Sequence, residues 1–289
     1  MISYLVRRRP RFTSLIAIVL LAGGMGCQSV SSGSPSHPES SSVHVESLHR
    51  ILESGELRVG MTGAQPPLNM KNSKGELIGL DVELARELSD AMDLELVLVE
   101  TPFADLLSDL EANKIDLVIS SMTITPARNA RVAFAGPYLI SGSSLLTRED
   151  LVGDLTSLSS LNSAERTWAA LKGSTGEKLI HEAFPLARFK PIEDQETAIA
   201  EISRGEIDGL IADLPSVSYQ IARNTDLGLA TLPSPFTTEP LGIALPPHSP
   251  LFANLVQNYL NTLEYTGRLI QMKAHWLNAG EWMSEMPGH

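Results

Sequence analysis

Three short segments carry the side chains best suited to hold a small charged molecule. Ser120, Ser121 and Thr123 lie at and just beyond the end of the apolar run IDLVISS (115–121), and Arg128 stands in the first turn of the next helix. Ser174, Thr175 and Gly176 form a polar turn between TWAALK (167–172) and EKLIHEAF. Asp213 ends the run DGLIAD (208–213). Hydroxyls, free N–H groups at a helix start and a guanidinium suit an anion, and a carboxylate suits a cation. A zwitterion such as an α-amino acid needs both. Each residue also has a plainer reading. Arg128, near Arg131, can be a solvated helix residue. Asp213, before Leu214-Pro215, can cap the next helix. The Ser174–Gly176 turn can be only a turn, and Phe103 can be core.

The elements that must position these residues alternate. LRVGM (57–61), LELVLV (94–99) and IDLVISS read as strands, the last of the buried, continuously apolar kind. LDVELARELSDAM (80–92) sets Val82, Ala85, Leu88 and Met92 three to four apart, a helical stripe. PFADLLSDLEA (102–112) is a second helix with Phe103, Leu106, Leu107 and Leu110 on one side. Thr125-Pro126 opens another, with Thr as N-cap and Pro in the first turn. The second half repeats the scheme: strands at TWAALK, RFKPI, DGLIAD and LGIALP (241–246), helices at EKLIHEAF and ETAIAEISRGE, and one or two closing helices over 250–277. Alternation of this kind means an α/β fold with mostly parallel sheets. Ligands of such sheets bind beyond the carboxyl ends of the strands, where all three polar segments fall.

The chain has 289 residues and a formal net charge of −12. The first 26 residues hold four arginines and no acid, and the remainder has 18 basic against 34 acidic residues. A surface this acidic repels phosphate backbones and excludes nucleic acid as a partner. The single cysteine, Cys27, allows no internal disulfide, and the seven scattered histidines show no metal-site spacing, so neither metal nor cofactor is expected. Residues 1–26 have the basic, apolar, small-residue order of a secretory signal peptide, with an apolar run too short to span a bilayer. Cys27 stands where a bacterial lipoprotein carries its lipidated cysteine, although Gly24 replaces the usual leucine. The stretch 28–45 is rich in Ser, Pro and Gly, without periodicity, and reads as a flexible linker over 27–47. The expected product is a lipid-anchored protein of the periplasm or cell surface.

The segments LRVGMTGAQPPLNM, GELIGLDVELARELSDAM, IDLVISSMTITPARNARVAFAGPY, LKGSTGEKL, GEIDGLIADLPSVSY and EPLGIALP resemble the family 3 periplasmic solute-binding proteins, the amino-acid receptors of ABC importers. MTITPAR is the most specific of them. The resemblance covers about 48–278 and implies the type II periplasmic-binding-protein fold: two α/β lobes, two hinge strands and a ligand cleft between the lobes. It implies a first lobe over 48–140 with a return over 241–280, a second over 145–236, hinges at 141–144 and 237–240, and a tail at 281–289. Carried over residue by residue, it gives Arg128 the ligand α-carboxylate and Asp213 the α-ammonium. Thr123 and Ser121 help hold both ends, Thr175 and Gly176 are the second lobe's donors to the carboxylate, and Phe103 is an aromatic wall. In the first loop, relatives carry an acid, an aromatic and Pro-Phe where this chain has Thr62, Gln65 and Leu68. Without an acid at 62, a neutral or polar ligand is expected. The partners implied are the ligand and a membrane permease, with the chain itself a monomer. Some relatives are cyclohexadienyl dehydratases, which need an extra acid in the cleft. Leu214-Pro215-Ser216-Val217 offers none after Asp213, and no other unassigned Glu or Asp is expected on a pocket segment. A ligand-sensing lipoprotein is a further alternative, disfavoured because no kinase or lytic domain accompanies the chain.

Overall fold

The computed structural model describes residues 47–155, 158–278 and 282–283. The signal segment, Cys27 and the linker up to residue 46 lie outside the described residues, as does the tail apart from Trp282 and Met283. Ser47 already belongs to a helix.

The first half runs α1 (Ser47–Ser54), β1 (Glu56–Met61), β2 (Ala64–Gln65), β3 (Asn69–Lys71), β4 (Leu77–Ile78), α2 (Leu80–Ala91), β5 (Glu95–Glu100), a 3-10 turn (Phe103–Asp105), α3 (Leu106–Glu111), β6 (Leu117–Val118), α4 (Pro126–Asn129) and β7 (Ala133–Ser141). The chain then crosses into β8 (Ser143–Arg148), α5 (Glu149–Val152), α6 (Leu158–Leu161), β9 (Thr167–Leu171), α7 (Thr175–Ala183), β10 (Arg188–Ile192), α8 (Gln195–Arg204), β11 (Gly209–Asp213), α9 (Leu214–Arg223) and β12 (Leu229–Thr231). It returns through β13 (Glu239–Leu245), α10 (Pro250–Tyr265) and α11 (Arg268–Leu277).

Two five-stranded sheets result, ordered β5-β1-β6-β13-β7 and β10-β9-β11-β8-β12. Each is mixed rather than mostly parallel. β1 pairs parallel with β5 and β6, while β13 pairs antiparallel with β6 and β7. In the second sheet β9 pairs parallel with β10 and β11, while β8 pairs antiparallel with β11 and β12. The strand that enters each sheet after a crossing arrives from the opposite direction, and that reversal is what makes each sheet mixed. The meander β2-β3-β4 was not foreseen. β6 (Leu117–Val118) is shorter than the apolar run implied, and beyond it the chain turns at Ser121, whose φ of 49° is left-handed.

The helical stripe of α2 packs as the spacing requires: Val82, Leu84, Ala85 and Leu88 are buried in the first core beside Val59, Leu117 and Leu241. The second sheet carries its own cores around Ile202 and Leu210 on one side and Trp168 and Phe184 on the other. The protein therefore has two lobes, one built on each sheet. The crossings between them run side by side: Glu239 pairs with Ser141, Phe236 N–H donates to the Ser143 carbonyl, and Leu214 N–H donates to the Gly142 carbonyl. Away from the crossings, Trp282 stacks on Tyr219 of the second lobe, with centroids 5.7 Å apart and planes 16° apart, and is buried with Met70 of the first.

Candidate functional site in the cleft between the lobes

Each functional side chain is held by local chemistry. Thr125 caps α4, its hydroxyl accepting from the Arg128 N–H at 3.2 Å, and Pro126 opens the helix. That cap fixes Arg128, whose guanidinium donates to the Thr123 carbonyl at 2.9 Å and the Gly173 carbonyl at 3.0 Å. It also sits 5.4 Å from the Phe103 ring centroid, a cation–π distance. Ser174 caps α7 by accepting from Glu177 N–H at 3.2 Å. Gly176 lets that helix start close to β11, since a Cβ there would lie 3.0 Å from the Ile211 carbonyl oxygen.

A small cavity of about 30 Å³ lies where these elements meet. Of the residues expected there, Gln65, Phe103, Ser121, Thr123, Thr175, Gly176 and Asp213 line it. Arg128 stands beside it, on the adjoining groove that also touches Ser174 and Thr175. Thr62 is not on the lining: its hydroxyl lies 3.0 Å from Gln65 Oε1 and 2.7 Å from Asn69 Oδ1, and so supports Gln65 from behind. Leu68 is fully buried in the first core. Asp213 occupies the cap position of α9, yet its side chain makes no cap hydrogen bond, which leaves the carboxyl to the cavity.

Ser143, Ser174 and Gln195 also line the cavity and were missed. Two unassigned acids lie behind the lining residues, although neither is on the cavity wall. Asp81 is fully buried and accepts from Asn69 Nδ2 at 2.8 Å, Ser121 N–H at 3.0 Å and Tyr138 O–H at 2.8 Å. Glu239 accepts from Thr123 and Thr175 on one oxygen, at 2.7 and 2.6 Å, and from Ser143 and Thr237 on the other, at 2.6 and 2.7 Å. Its position in TTEPLG, a lone acid just before an apolar strand, was the only available signal.

The electrostatics follow from this crowding. Burial, then the charges of Glu239 and Asp81, push the Asp213 carboxyl up to about 8, against the opposing pull of Arg128 and Ser141. Burial raises Asp81 to about 6 despite its three donors. Burial also acts to raise Glu239, but the hydroxyls of Ser143, Thr175, Thr237 and Thr123 outweigh it and hold the carboxyl below its ordinary value. Burial lowers the Arg128 pKa, opposed by Glu239 and Asp213. Two carboxyls, those of Glu239 and Asp213, thus act on one guanidinium, and Asp81 acts on Asp213 from behind. Among the described residues no His/Cys/Asp/Glu group could hold a metal ion, and no helix is long and apolar enough to cross a membrane.

Residues 57–279 match the model of the bacterial extracellular solute-binding proteins, family 3. The chain belongs to that family. This family 3 protein is 28% identical to a cyclohexadienyl dehydratase of Pseudomonas aeruginosa over 80% of its own length and 85% of the relative's. It is 27% identical to the ABC transporter arginine-binding protein 1 of Escherichia coli, over 76% and 90%. Among solved structures it is similar to a binding component of an ABC transporter from Wolinella succinogenes complexed with lysine, at 34% identity and a TM-score of 0.75, covering 80% of this chain and 99% of that one. Relatives of this family 3 protein thus include solute-binding proteins for amino acids and an enzyme.

Proposed function

We propose that the protein is the extracytoplasmic substrate-binding component of an ABC importer, and that it captures an amino acid by closing its two lobes. The observation that carries this reading is the paired chemistry at the cleft. Arg128 from the first lobe reaches the Gly173 carbonyl of the second, and Asp213 lines the cavity beside it. A guanidinium for a carboxylate and an acid for an ammonium match the two ends of a zwitterion. In this reading Arg128 holds the α-carboxylate, Asp213 the α-ammonium, Phe103 and Gln65 the side chain, and Ser121, Thr123, Thr175 and Gly176 complete the enclosure. Residues 141–144 and 237–240 act as hinges between a lobe of 48–140 plus 241–280 and a lobe of 145–236, with the closed form presented to a permease. The chain works as a monomer tethered through an acylated Cys27, an anchor that incorporation of labelled fatty acid into the wild type but not Cys27→Ser would support.

The surplus of carboxyls favours a ligand with net positive charge, contrary to what position 62 suggests. The relatives named for arginine and solved with lysine point the same way. The deciding experiment is calorimetry with the common amino acids. Binding by no zwitterion would overturn the receptor reading, whereas tightest binding of a neutral amino acid would overturn only the charge preference.

A second reading has its own observation. Asp213, held protonated up to about 8, has the form a general acid needs, and one relative is a dehydratase. Release of carbon dioxide from prephenate or arogenate by the pure protein, abolished by Asp213→Asn, would favour it.

A further inference from the structure

The carboxylate of Glu239 is 5% exposed and accepts four hydrogen bonds, all from hydroxyls. The donors come from every part of the cleft: Thr123 from the first lobe, Thr175 from the second, Ser143 and Thr237 from the two crossings. A hydroxyl has one proton to give and two lone pairs, and an ionised carboxylate can only accept. Each of these hydroxyls must therefore turn its hydrogen towards Glu239, and only its lone pairs remain for any other partner. Thr123, Ser143 and Thr175 also line the cavity.

We infer that Glu239 sets the hydrogen-bond polarity of the cleft: by taking the protons of Thr123, Ser143 and Thr175 it makes that wall an acceptor surface, which selects a ligand presenting N–H donors there. A carboxylate placed on those three oxygens would meet lone pairs, whereas an ammonium or guanidinium would meet acceptors. Two neighbours point the same way. The Asp213 carboxyl shares the lining, and Gln195 Oε1 is buried there without a hydrogen-bond partner among the described residues. The Thr123 and Thr175 hydroxyls therefore serve the amine side of a ligand, and the carboxylate side is left to Arg128 and to groups outside this wall. The inference rests on the cleft being the ligand site. It makes Glu239 a positioning residue that acts through the hydroxyls without touching the ligand.

Two measurements test it. Neutron diffraction from a deuterated crystal of the ligand-free protein reads the O–D directions without reference to any ligand. All of Thr123, Ser143 and Thr175 should aim their deuterons at Glu239, and one aimed into the cavity would overturn the inference. Glu239→Gln is the functional arm, since an amide donates through its nitrogen and frees hydroxyl protons to face the cavity. With L-arginine and its desamino analogue 5-guanidinopentanoate as probes, the variant should lose at least tenfold in affinity for arginine and less than about threefold for the analogue. Equal losses would reduce Glu239 to a structural tie and reject the assignment. If the wild type binds no amino acid at all, the receptor reading falls, while the deuteron directions still decide the role of Glu239.

Discussion

Arg128 Nη2 donates to the backbone carbonyl of Gly173 across the cleft, at 3.0 Å, while Nη1 of the same guanidinium donates to the Thr123 carbonyl at 2.9 Å. One side chain thus ties the first lobe to the turn that precedes α7. Arg128→Ala removes this tie and the cation that faces a bound carboxylate. Stranding a buried carboxylate costs about 3 kcal/mol or more, so affinity for the best amino acid should fall by over a hundredfold in calorimetry. Arg128→Lys should recover little of it, because an ammonium lacks the planar fork that reaches two carbonyls at once.

Binding of an ammonium should depend on pH through Asp213. In the ligand-free cleft the carboxyl is raised to about 8, so near neutrality it is mostly protonated, and a cation must expel that proton. Affinity should rise with pH up to about 8, by at most tenfold per pH unit, and then level off. Calorimetry in buffers of different ionisation enthalpy should show proton release at pH 7. Asp213→Asn should bind more weakly at high pH and lose the dependence.

Asp81 makes a separate prediction for stability. Its carboxyl is raised from 3.8 to about 6 in the folded protein, so the native state binds the proton more tightly than the unfolded chain. The stability it contributes is complete below pH 3.8 and is lost as pH rises through 6, an effect of roughly 3 kcal/mol. Asp81→Asn can keep all three contacts by turning its amide nitrogen to Tyr138, and it cannot ionise. Urea unfolding at pH 4 and pH 7 should show the variant gaining relative to wild type at the higher pH.

Gly142 lies where the chain first passes between lobes. A Cβ at this position would collide with the Thr237 carbonyl oxygen, a backbone atom that cannot swing aside as a side chain would. Gly142→Ala must push the two crossings apart, which should cost about 1–3 kcal/mol. A lowered urea midpoint with unchanged slope would confirm it, and a midpoint equal to wild type would show the crossings to be looser than this packing implies.

What could be read in the sequence was mostly local. The stripe of α2 and the Thr125-Pro126 start of α4 involve contacts within one or two turns, and both lie where the spacing put them. That Asp213 and Thr175 line the cavity could be anticipated, because strand ends and helix starts are written in neighbouring residues. Glu239 was out of reach, since three of its donors lie 116, 96 and 64 residues away. The mixed character of the sheets was hidden for the same reason: periodicity gives a strand its faces, but the direction in which β13 enters between β6 and β7 depends on the whole path between them. Thr62 was misread because its hydroxyl turns back to Gln65 and Asn69, a choice fixed by the unforeseen meander.

The threading of β13 also orders the birth of the molecule. A chain emerging N-terminus first has every strand of the second sheet available once residue 231 is out, while the first sheet still lacks the strand that must slot between Leu117–Val118 and Ala133–Ser141. The lobe begun first is thus completed last, and until Glu239–Leu245 arrives it exposes two unmatched strand edges. Those nascent edges are the stretch that an export chaperone would most need to shield.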